Sequence, residues 1–249
     1  MPPIVLTFAA SDPTGGAGLQ ADLLTLAALG CHPLSVVTGL TVQDTRGVES
    51  LEAVASALVR RQANALLAES RVAAFKAGVL ASPDNVRAVA TIAAQYENVP
   101  LVLDPVLASG RGDALASAAV RAALMEALVP LTTVLTPNTL EAEQLGGAQR
   151  LLDAGARYVL ITGTHDNTAE VINRLYDRGG LVREDRWKRL PGSYHGSGCT
   201  LASAAAAYLA RGRDVPDAVR EAQDFTWKAL AAGFKSGAGQ MLPNRFFRP

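Results

Sequence analysis

The sequence predicts an α/β fold in which a mainly parallel sheet lies between two layers of helices. Short apolar runs alternate along the chain with longer stretches of helical periodicity, which is the pattern of successive βα units. The 249 residues are 49% hydrophobic, and a chain of this size can bury one large core. No internal repeat, low-complexity tract or linker divides the sequence. We therefore expect one domain over residues 1–249.

Short runs rich in apolar and β-branched residues predict the strands. We expect parallel strands at 4–9, 34–42, 71–79, 100–105, 132–136 and 158–162. Two later segments, 170–177 and 181–190, alternate between apolar and polar side chains, and Asp-Arg-Gly-Gly at 177–180 favours a turn between them. These two segments predict an antiparallel pair at one edge of the sheet.

Helical periodicity predicts helices at 18–29, 56–68, 83–95, 114–128, 200–211 and 216–234. Leu19, Leu23 and Leu26 form one apolar stripe on the first of them. Ser82 is placed to cap the third helix, and Pro83 takes its first position. Ligands of such folds bind beyond the carboxyl ends of the strands. The residues that follow each strand are therefore the candidates for function.

The charge balance argues against binding to nucleic acid. Lys and Arg together number 23, as do Asp and Glu, whereas nucleic-acid-binding proteins usually carry a basic excess. Cys31 and Cys199 are too few for a disulfide framework and lack metal-ligand spacing. The N-terminus has no basic segment followed by a long apolar run, and no stretch predicts a membrane span. We expect a cytoplasmic protein that binds neither nucleic acid nor membrane.

A glycine-rich loop, Ser-Asp-Pro-Thr-Gly-Gly-Ala-Gly at 11–18, follows the first strand. Its glycines permit close backbone approach to a ligand, and the next helix offers free amides; a plain tight turn is the alternative. The spacing matches neither the dinucleotide-binding fingerprint nor the Walker A loop. Asp22, one turn into the helix, lies on the shoulder of the apolar stripe. It either complements the helix dipole or hydrogen-bonds a polar ligand.

Carboxylates follow two other strands. Asp104 leaves a buried strand and could hold Mg²⁺, which prefers one or two carboxylates together with phosphate oxygens; an ordinary Asp-Pro turn is the alternative. After the next strand, Thr136 or Asn138 could cap a helix. Glu141 lies three residues beyond Asn138, which is the offset of a capping box.

The segment His-Gly-Ser-Gly-Cys-Thr at 195–200 precedes an alanine-rich helix. Gly196, Ser197 and Gly198 can turn their amides inward to bind an anion. Cys199 falls in the first turn of the helix, where the dipole is expected to lower the pKa of its thiol. The alternative is a small buried hydrophobe. A cysteine protease is disfavoured because no motif of such a family surrounds Cys199.

Several motifs together resemble one family of kinases. "AASDPTGGAGLQADL", "LTVQDTRGV", "FKAGVLAS", "LVLDPVLASGRGDAL", "LTPNTLEAEQL" and "HGSGCTLASAAAAYLARG" occur in the order typical of the hydroxymethylpyrimidine and hydroxymethylpyrimidine phosphate kinases of thiamine biosynthesis, which belong to the ribokinase-like superfamily. The resemblance extends from Val5 to about Phe247. It implies a ribokinase-like fold and ATP-dependent phosphorylation of a pyrimidine hydroxymethyl group and then of the resulting monophosphate. It also suggests a homodimer.

The resemblance also implies roles for individual residues. Cys199 would accept the proton of the substrate hydroxyl or orient that hydroxyl, beside an anion hole formed by Gly196, Ser197, Gly198 and its own amide. Asn138 and Glu141 would organise Mg²⁺ and the triphosphate, with Asp104 as a second acidic group near the metal. Ala17, Asp22, Gln43, Val79 and Val106 match the pyrimidine pocket. Lys76 matches a lysine that would meet phosphate, and Thr162 lies on the ATP side.

One departure from the family pattern concerns that ATP side. The family usually has Lys-Gly-Gly-His after the sixth strand, where this chain has Thr162-Gly-Thr-His165. The substitution removes a positive charge that could neutralise phosphate, which bears on the second phosphorylation. Two alternatives stay open, and the threonine at 162 bears on the second of them. The first is a pyridoxal kinase, because close relatives accept vitamin B6 alcohols, and the second is a pyrimidine-binding protein without turnover.

Overall fold

A nine-stranded sheet organises the part of the chain that the structure describes. The computed structural model describes residues 1–109, 112–113 and 115–247. The strands are β1 (Ile4–Ser11), β2 (His32–Gln43), β3 (Val48–Ala53), β4 (Ala74–Ala77), β5 (Leu101–Leu103), β6 (Val134–Leu135), β7 (Tyr158–Thr162), β8 (Glu170–Asp177) and β9 (Gly180–Lys188). They lie in the order β3-β2-β1-β4-β5-β6-β7-β8-β9.

The centre of the sheet is parallel and both edges are antiparallel. Strands β2, β1, β4, β5, β6 and β7 pair in parallel. Strands β8 and β9 form the antiparallel pair that the alternating segments predict. Because β1, β4, β5, β6 and β7 all run the same way, their carboxyl ends meet at one edge of the sheet, where ligands bind in folds of this kind.

Helices cover both faces. They are α1 (Gly18–Ala28), α2 (Ser56–Leu67), α3 (Pro83–Ala93), α4 (Ala118–Ala123), α5 (Thr139–Leu145), α6 (Gly147–Asp153), α7 (Ser197–Ala210) and α8 (Val215–Ala231). Side chains of α1, α7 and α8 belong to one core cluster, and those of α2 to α6 belong to the other. The run Ala204–Ala207 is fully buried, since side chains this small allow α7 to pack closely against its neighbours.

The helix caps largely follow the predictions. The Ser82 hydroxyl accepts a hydrogen bond from the Asn85 amide, and Pro83 begins α3. Asn138, rather than Thr136, caps α5, and Glu141 completes the capping box. These short-range motifs are determined by residues three positions apart, so they can be recognised in sequence.

Three segments differ from the predictions. Strand β3 is not among the predicted strands, because its sequence Val-Glu-Ser-Leu-Glu-Ala has weak strand propensity; it pairs with β2 across the turn that follows Asp44. The helix predicted at 114–128 begins after the cap Ser117, and its last five residues form a wider π-helical turn before Pro130. Its predicted first residue, Ala114, lies outside the described residues. Helix α6 is also absent from the predictions.

Among the described residues, no helix has both the length and the apolar character needed to cross a membrane.

Candidate active site

A cleft of about 500 Å³ opens at the carboxyl ends of the parallel strands. All of the predicted site residues except Asp22 and Lys76 line it. They are Ala17, Gln43, Val79, Asp104, Val106, Asn138, Glu141, Thr162, Gly196, Ser197, Gly198 and Cys199. The cleft lies between the β2–β3 hairpin on one side and the β8–β9 pair on the other, because side chains of both line its walls.

The segment Gly196–Cys199, called here the anion turn, begins α7. Gly196 has φ of +82°, and a Cβ atom at this position would lie 1.8 Å from the carbonyl oxygen of Gly16. The position therefore requires glycine for both backbone conformation and space. The amides of Ser197, Gly198 and Cys199 have no hydrogen-bond acceptor within the described ranges. Free amides at the start of a long helix form a site for an anion.

Asp104 faces the anion turn. Its carboxylate oxygens lie 3.6 and 3.8 Å from the point where a Cβ atom of Gly198 would stand. The side chain is 4% exposed, and its Oδ2 atom has no hydrogen-bond partner among the described residues. Burial raises its pKa to about 6, although the positive charge of Lys76 opposes the increase.

Glu141 is the second buried carboxylate of this region. Oε1 accepts a hydrogen bond from the Leu107 amide, and Oε2 accepts one from the Asn138 amide. Burial raises its pKa to about 7, and the negative charge of Asp104 contributes to the increase. Two buried carboxylates that disfavour each other's ionisation need a cation to be charged together.

These two carboxylates fit a magnesium ion that is shared with phosphate groups. The unpartnered Oδ2 of Asp104 is an oxygen donor that a hard cation would satisfy. Within the described part of the chain, no cluster of three or more His, Cys, Asp and Glu residues could hold a metal. Mg²⁺ typically uses one or two carboxylates and takes its other ligands from phosphates and water, so a pair is sufficient.

The structure corrects the expected ionisation of Cys199. The side chain is only 9% exposed, and burial raises the pKa of its thiol to about 12, while Lys76 opposes the increase and Asp104 adds to it. The expectation that the helix dipole lowers this pKa is wrong, because the loss of water and the buried carboxylate outweigh the dipole. The thiol is protonated at neutral pH, and as a potential donor beside Asp104 it lowers the pKa of that carboxyl group.

Asp22 and Lys76 are buried under the cleft and do not line it. Both side chains have no exposed surface, and Lys76 Nζ lies 2.9 Å from Asp22 Oδ1. This position corrects the expectations that Asp22 contacts the substrate directly and that Lys76 meets phosphate. Asp22 lies beside the apolar stripe of α1, as predicted. That side of the helix packs against β1 and α7, where Asp22 accepts hydrogen bonds from Thr7 and Ser203.

Sequence reasoning missed three residues that hold the glycine-rich loop. Asp12 accepts hydrogen bonds from the amides of Thr14 and Ala17, and His195 Nε2 lies 2.9 Å from its Oδ2. Arg245 is 4% exposed and donates to the carbonyl oxygens of Gly15 and Gly16 and to the Thr200 hydroxyl. Asp-Pro-Thr-Gly is a recognisable turn, so Asp12 could have been found. The contacts of Arg245 with the loop span 229 and 230 positions and leave no local signal.

The wall of the cleft near β9 and α8 carries two cationic side chains and both tryptophans of the chain. Lys188, Arg189, Trp187 and Trp227 line it. The Arg189 guanidinium donates to the carbonyl oxygens of Thr164, Asp166 and Thr168. None of the ion pairs found among the described residues includes Arg189 or Lys188. This wall therefore presents positive charge to the part of the cleft that Thr162 also lines.

The comparisons with known proteins agree with this geometry. The model of the phosphomethylpyrimidine kinase family matches residues 12–244. The chain belongs to the phosphomethylpyrimidine kinase family. A hydroxymethylpyrimidine/phosphomethylpyrimidine kinase of Streptomyces coelicolor is 40% identical over 96% of this chain and 92% of that protein. The resemblance seen in the sequence motifs is thus confirmed.

Solved structures extend the likeness within this kinase family and to pyridoxal kinases. A phosphomethylpyrimidine kinase of Clostridium difficile matches with a TM-score of 0.80 and 31% identity over 92% of this chain and 99% of that one. An ADP complex of Bacillus subtilis pyridoxal kinase matches with a TM-score of 0.90 and 28% identity over 98% of both chains. The ribokinase-like α/β fold is confirmed, and the chain is a kinase.

Proposed function

We propose that this kinase uses ATP to phosphorylate the hydroxymethyl group of 4-amino-5-hydroxymethyl-2-methylpyrimidine and then the resulting monophosphate, in thiamine biosynthesis. The observation that carries the proposal is the meeting of the anion turn, Asp104 and Glu141 in one cleft. Phosphoryl transfer depends on positioning and charge neutralisation, and these groups supply both. The family membership and the S. coelicolor relative support the same substrate.

In the proposed reaction, the substrate hydroxyl oxygen forms a bond to the γ-phosphorus while the bond from that phosphorus to the ADP oxygen breaks. The amides of Ser197, Gly198 and Cys199 stabilise the charge on the transferring phosphoryl group. Mg²⁺, held by Asp104 and Glu141, would neutralise charge on the nucleotide phosphates. In a loose transition state catalysis is mostly positioning and charge stabilisation, so the hydroxyl proton can pass to an oxygen of the transferred phosphoryl group. A protonated Cys199 then serves by orienting the hydroxyl rather than by accepting its proton.

The pyrimidine would lie against the wall formed by Ala17, Gln43, Val79 and Val106. The carboxamide of Gln43 offers a donor and an acceptor, which matches the amino group and ring nitrogen of an aminopyrimidine. The aliphatic side chains of Val79 and Val106 offer apolar contact to the ring. Thr41 and Val48 extend this wall along the β2–β3 hairpin.

The nucleotide would lie between Asn138, Thr162 and the β9 end of the cleft. Lys188 and Arg189 supply positive charge there, which supports nucleotide binding despite the threonine at 162. The same proposal treats residues 1–249 as one kinase domain that acts as a cytoplasmic homodimer. The strands found in the described residues all belong to one sheet, which supports the single domain.

A pyridoxal kinase is the second candidate, because the B. subtilis pyridoxal kinase has the same fold over 98% of the chain. An assay of ATP consumption with the purified protein separates the candidates. We expect turnover with the hydroxymethylpyrimidine and with its monophosphate, and a lower kcat/KM with pyridoxal. A higher kcat/KM with pyridoxal would assign the second candidate. No turnover with any of the three would indicate a binding protein without catalysis.

Nucleotide binding can be followed separately from turnover. The chain contains two tryptophans, and both line the cleft, so intrinsic fluorescence is expected to change when ADP binds. Thr162→Lys is expected to lower the KM for ATP or to leave it unchanged. An increase in that KM would show that positive charge at this position is unfavourable here.

A further inference from the structure

The buried pair of Asp22 and Lys76 joins four elements of the fold. Asp22 is on α1 and Lys76 on β4, and Lys76 Nζ lies 2.9 Å from Oδ1 and 3.0 Å from Oδ2 of Asp22. The Asp22 carboxylate also accepts hydrogen bonds from the hydroxyl groups of Thr7 on β1 and Ser203 on α7. All four side chains are fully buried. One carboxylate thus fastens two strands and two helices to each other.

Such an arrangement is a poor source of stability. Removing two charges from water costs free energy that their attraction often fails to repay, and apolar replacements of buried ion pairs are frequently neutral or stabilising. A fully satisfied buried network does, however, specify one arrangement of the elements that it joins. The role of the Asp22–Lys76 pair therefore depends on which parts of the active site belong to the elements that it joins.

Ser203 connects the pair to the anion turn. Cys199 and Ser203 are four residues apart on α7, so they lie on the same face of that helix. Both are buried. The hydrogen bond from Ser203 to Asp22 fixes the rotation and height of α7 one turn beyond the amides of Ser197, Gly198 and Cys199. A change at this bond would move the amides relative to Asp104 and the glycine-rich loop.

Lys76 also places a positive charge under the site. A Cβ atom on Gly78, just after β4, would stand 2.6 Å from Lys76 Nζ, so the ammonium group reaches to the carboxyl end of the sheet. Asp104 lies beside this position, because its amide donates a hydrogen bond to the carbonyl oxygen of Ala77 at the end of β4.

We propose that Asp22 and Lys76 are positioning residues, which hold the start of α7 and place a fixed positive charge beneath the anion turn for phosphoryl transfer. They act through the anion turn and Asp104 and touch neither substrate. The proposal rests on the proposed function, since it assigns the pair to the same transfer step. It predicts that loss of the pair lowers kcat and leaves substrate binding nearly unchanged.

The first test is the double variant Asp22→Asn/Lys76→Met. It removes both charges together, and the asparagine keeps an acceptor for Thr7 or Ser203, so no unpaired charge is left in the core. We expect a kcat about a hundredfold lower, because displacements near 1 Å are enough for such a loss, with both KM values within about threefold of the wild type. An unchanged kcat in a folded double variant would overturn the proposal, as would a loss confined to the KM values.

The second test retains the pair and removes only its link to α7. Ser203→Ala deletes the hydroxyl that bonds Asp22, and we expect kcat to fall about tenfold, as expected for the loss of one hydrogen bond to a charged group. Thr25→Ala is the matched control, because Thr25 is fully buried on α1 and its hydroxyl has no hydrogen-bond partner among the described residues. Equal kcat values for the two variants would overturn the proposal even if the double variant failed to fold.

Hydrogen exchange separates this proposal from the proposed function. The amides of 196–203 are expected to exchange faster in Ser203→Ala than in Thr25→Ala, because α7 loses its attachment near the anion turn. If the wild type phosphorylated neither the hydroxymethylpyrimidine, nor its monophosphate, nor pyridoxal, the proposed function would fail. The comparison of hydrogen exchange in Ser203→Ala and Thr25→Ala would still test whether Asp22 and Lys76 hold the start of α7. Identical exchange of 196–203 in both variants would count against the proposal.

Discussion

Nε2 of His195 lies 2.9 Å from Oδ2 of Asp12, and this contact joins the glycine-rich loop after β1 to the segment that leads into the anion turn. The same carboxylate holds the loop through the amides of Thr14 and Ala17. Burial by itself would raise the pKa of Asp12, but the His195 contact and the two amides outweigh burial and hold the pKa well below its usual range. Two parts of the cleft thus depend on one ionised carboxylate.

Asp12→Asn is therefore expected to lower the free energy of unfolding by about 1–3 kcal/mol at pH 7, since an amide cannot accept all of these hydrogen bonds. A carboxyl group with a depressed folded-state pKa contributes stability above its unfolded-state pKa, about 4, and loses it as the pH falls. The difference in free energy of unfolding between Asp12→Asn and the wild type should thus shrink below about pH 4. Urea unfolding between about pH 3 and pH 8 measures it.

Asp84→Asn is a suitable control, because the Asp84–Arg87 pair is exposed and such pairs contribute little. A loss of stability by Asp12→Asn that stayed constant over this pH range would contradict the ionised role of Asp12.

Asp104 is expected to show the opposite pH dependence. Burial raises the pKa of Asp104 to about 6 in the folded state, whereas the unfolded state releases this proton at about pH 4. The free energy of unfolding therefore falls as the pH rises from about 4 to about 6. Asp104→Asn should therefore raise the free energy of unfolding by about 1–3 kcal/mol at about pH 8, have no effect at about pH 4, and abolish most activity.

Magnesium provides the control for that variant. If Asp104 and Glu141 hold Mg²⁺ as proposed, adding the ion at about pH 8 should raise the Tm of the wild type, because only the folded state brings the two carboxylates together. The Tm of Asp104→Asn should change much less. Equal increases in Tm for both proteins would remove Asp104 from the metal site.

The buried thiols are expected to be unreactive. Burial raises the pKa of Cys199 to about 12 and also raises that of Cys31, and the thiolate is the reactive form. At about pH 7.5 a disulfide reagent should modify both groups slowly in the folded protein and both rapidly in guanidinium. If one thiol of the folded protein reacted rapidly and Cys199→Ser abolished that reaction, the pKa of Cys199 would be lowered, as expected from the helix dipole.

Replacements of Cys199 distinguish its two possible roles. If the thiol orients the substrate hydroxyl, Cys199→Ala should lower kcat about tenfold and leave the KM values unchanged, which is the effect of one hydrogen bond. A general base contributes about 10²- to 10⁴-fold, so a loss in that range would assign proton transfer to Cys199. Turnover equal to that of the wild type would remove the residue from the mechanism.

Gly196→Ala is expected to abolish activity. The new methyl group would lie 1.8 Å from the carbonyl oxygen of Gly16, so the anion turn or the glycine-rich loop must move. Gly212→Ala is the matched control: its φ of +84° is nearly the same as that of Gly196, and no described atom lies within 4 Å of the place that its methyl group would take. The control should lose about 1 kcal/mol of stability and keep its kcat. Comparable activities of the two variants would show that the close approach is unimportant.

The sequence predicts the parallel core and the ligand edge because each depends on local periodicity and on rules of chain connection. Strand β3 is harder to recognise, since its glutamates suit a strand only when it pairs with β2. The placement of Asp22 and Lys76 shows a different limit. Their spacing indicates which side of a helix or strand they occupy, whereas the packing of α7 decides whether that side meets water, substrate or a buried partner.

The hydrogen bonds from Arg245 to the glycine-rich loop affect the order in which the walls of the cleft form during synthesis. Its guanidinium supports the carbonyl oxygen of Gly15 across 230 positions of the chain, so a ribosome makes the glycine-rich loop long before it makes the loop's support. Contacts of such large sequence separation form late, because the chain between them must first be ordered. A nascent chain that has not yet reached Arg245 should therefore bind the pyrimidine poorly, even when every strand of the sheet has already been translated.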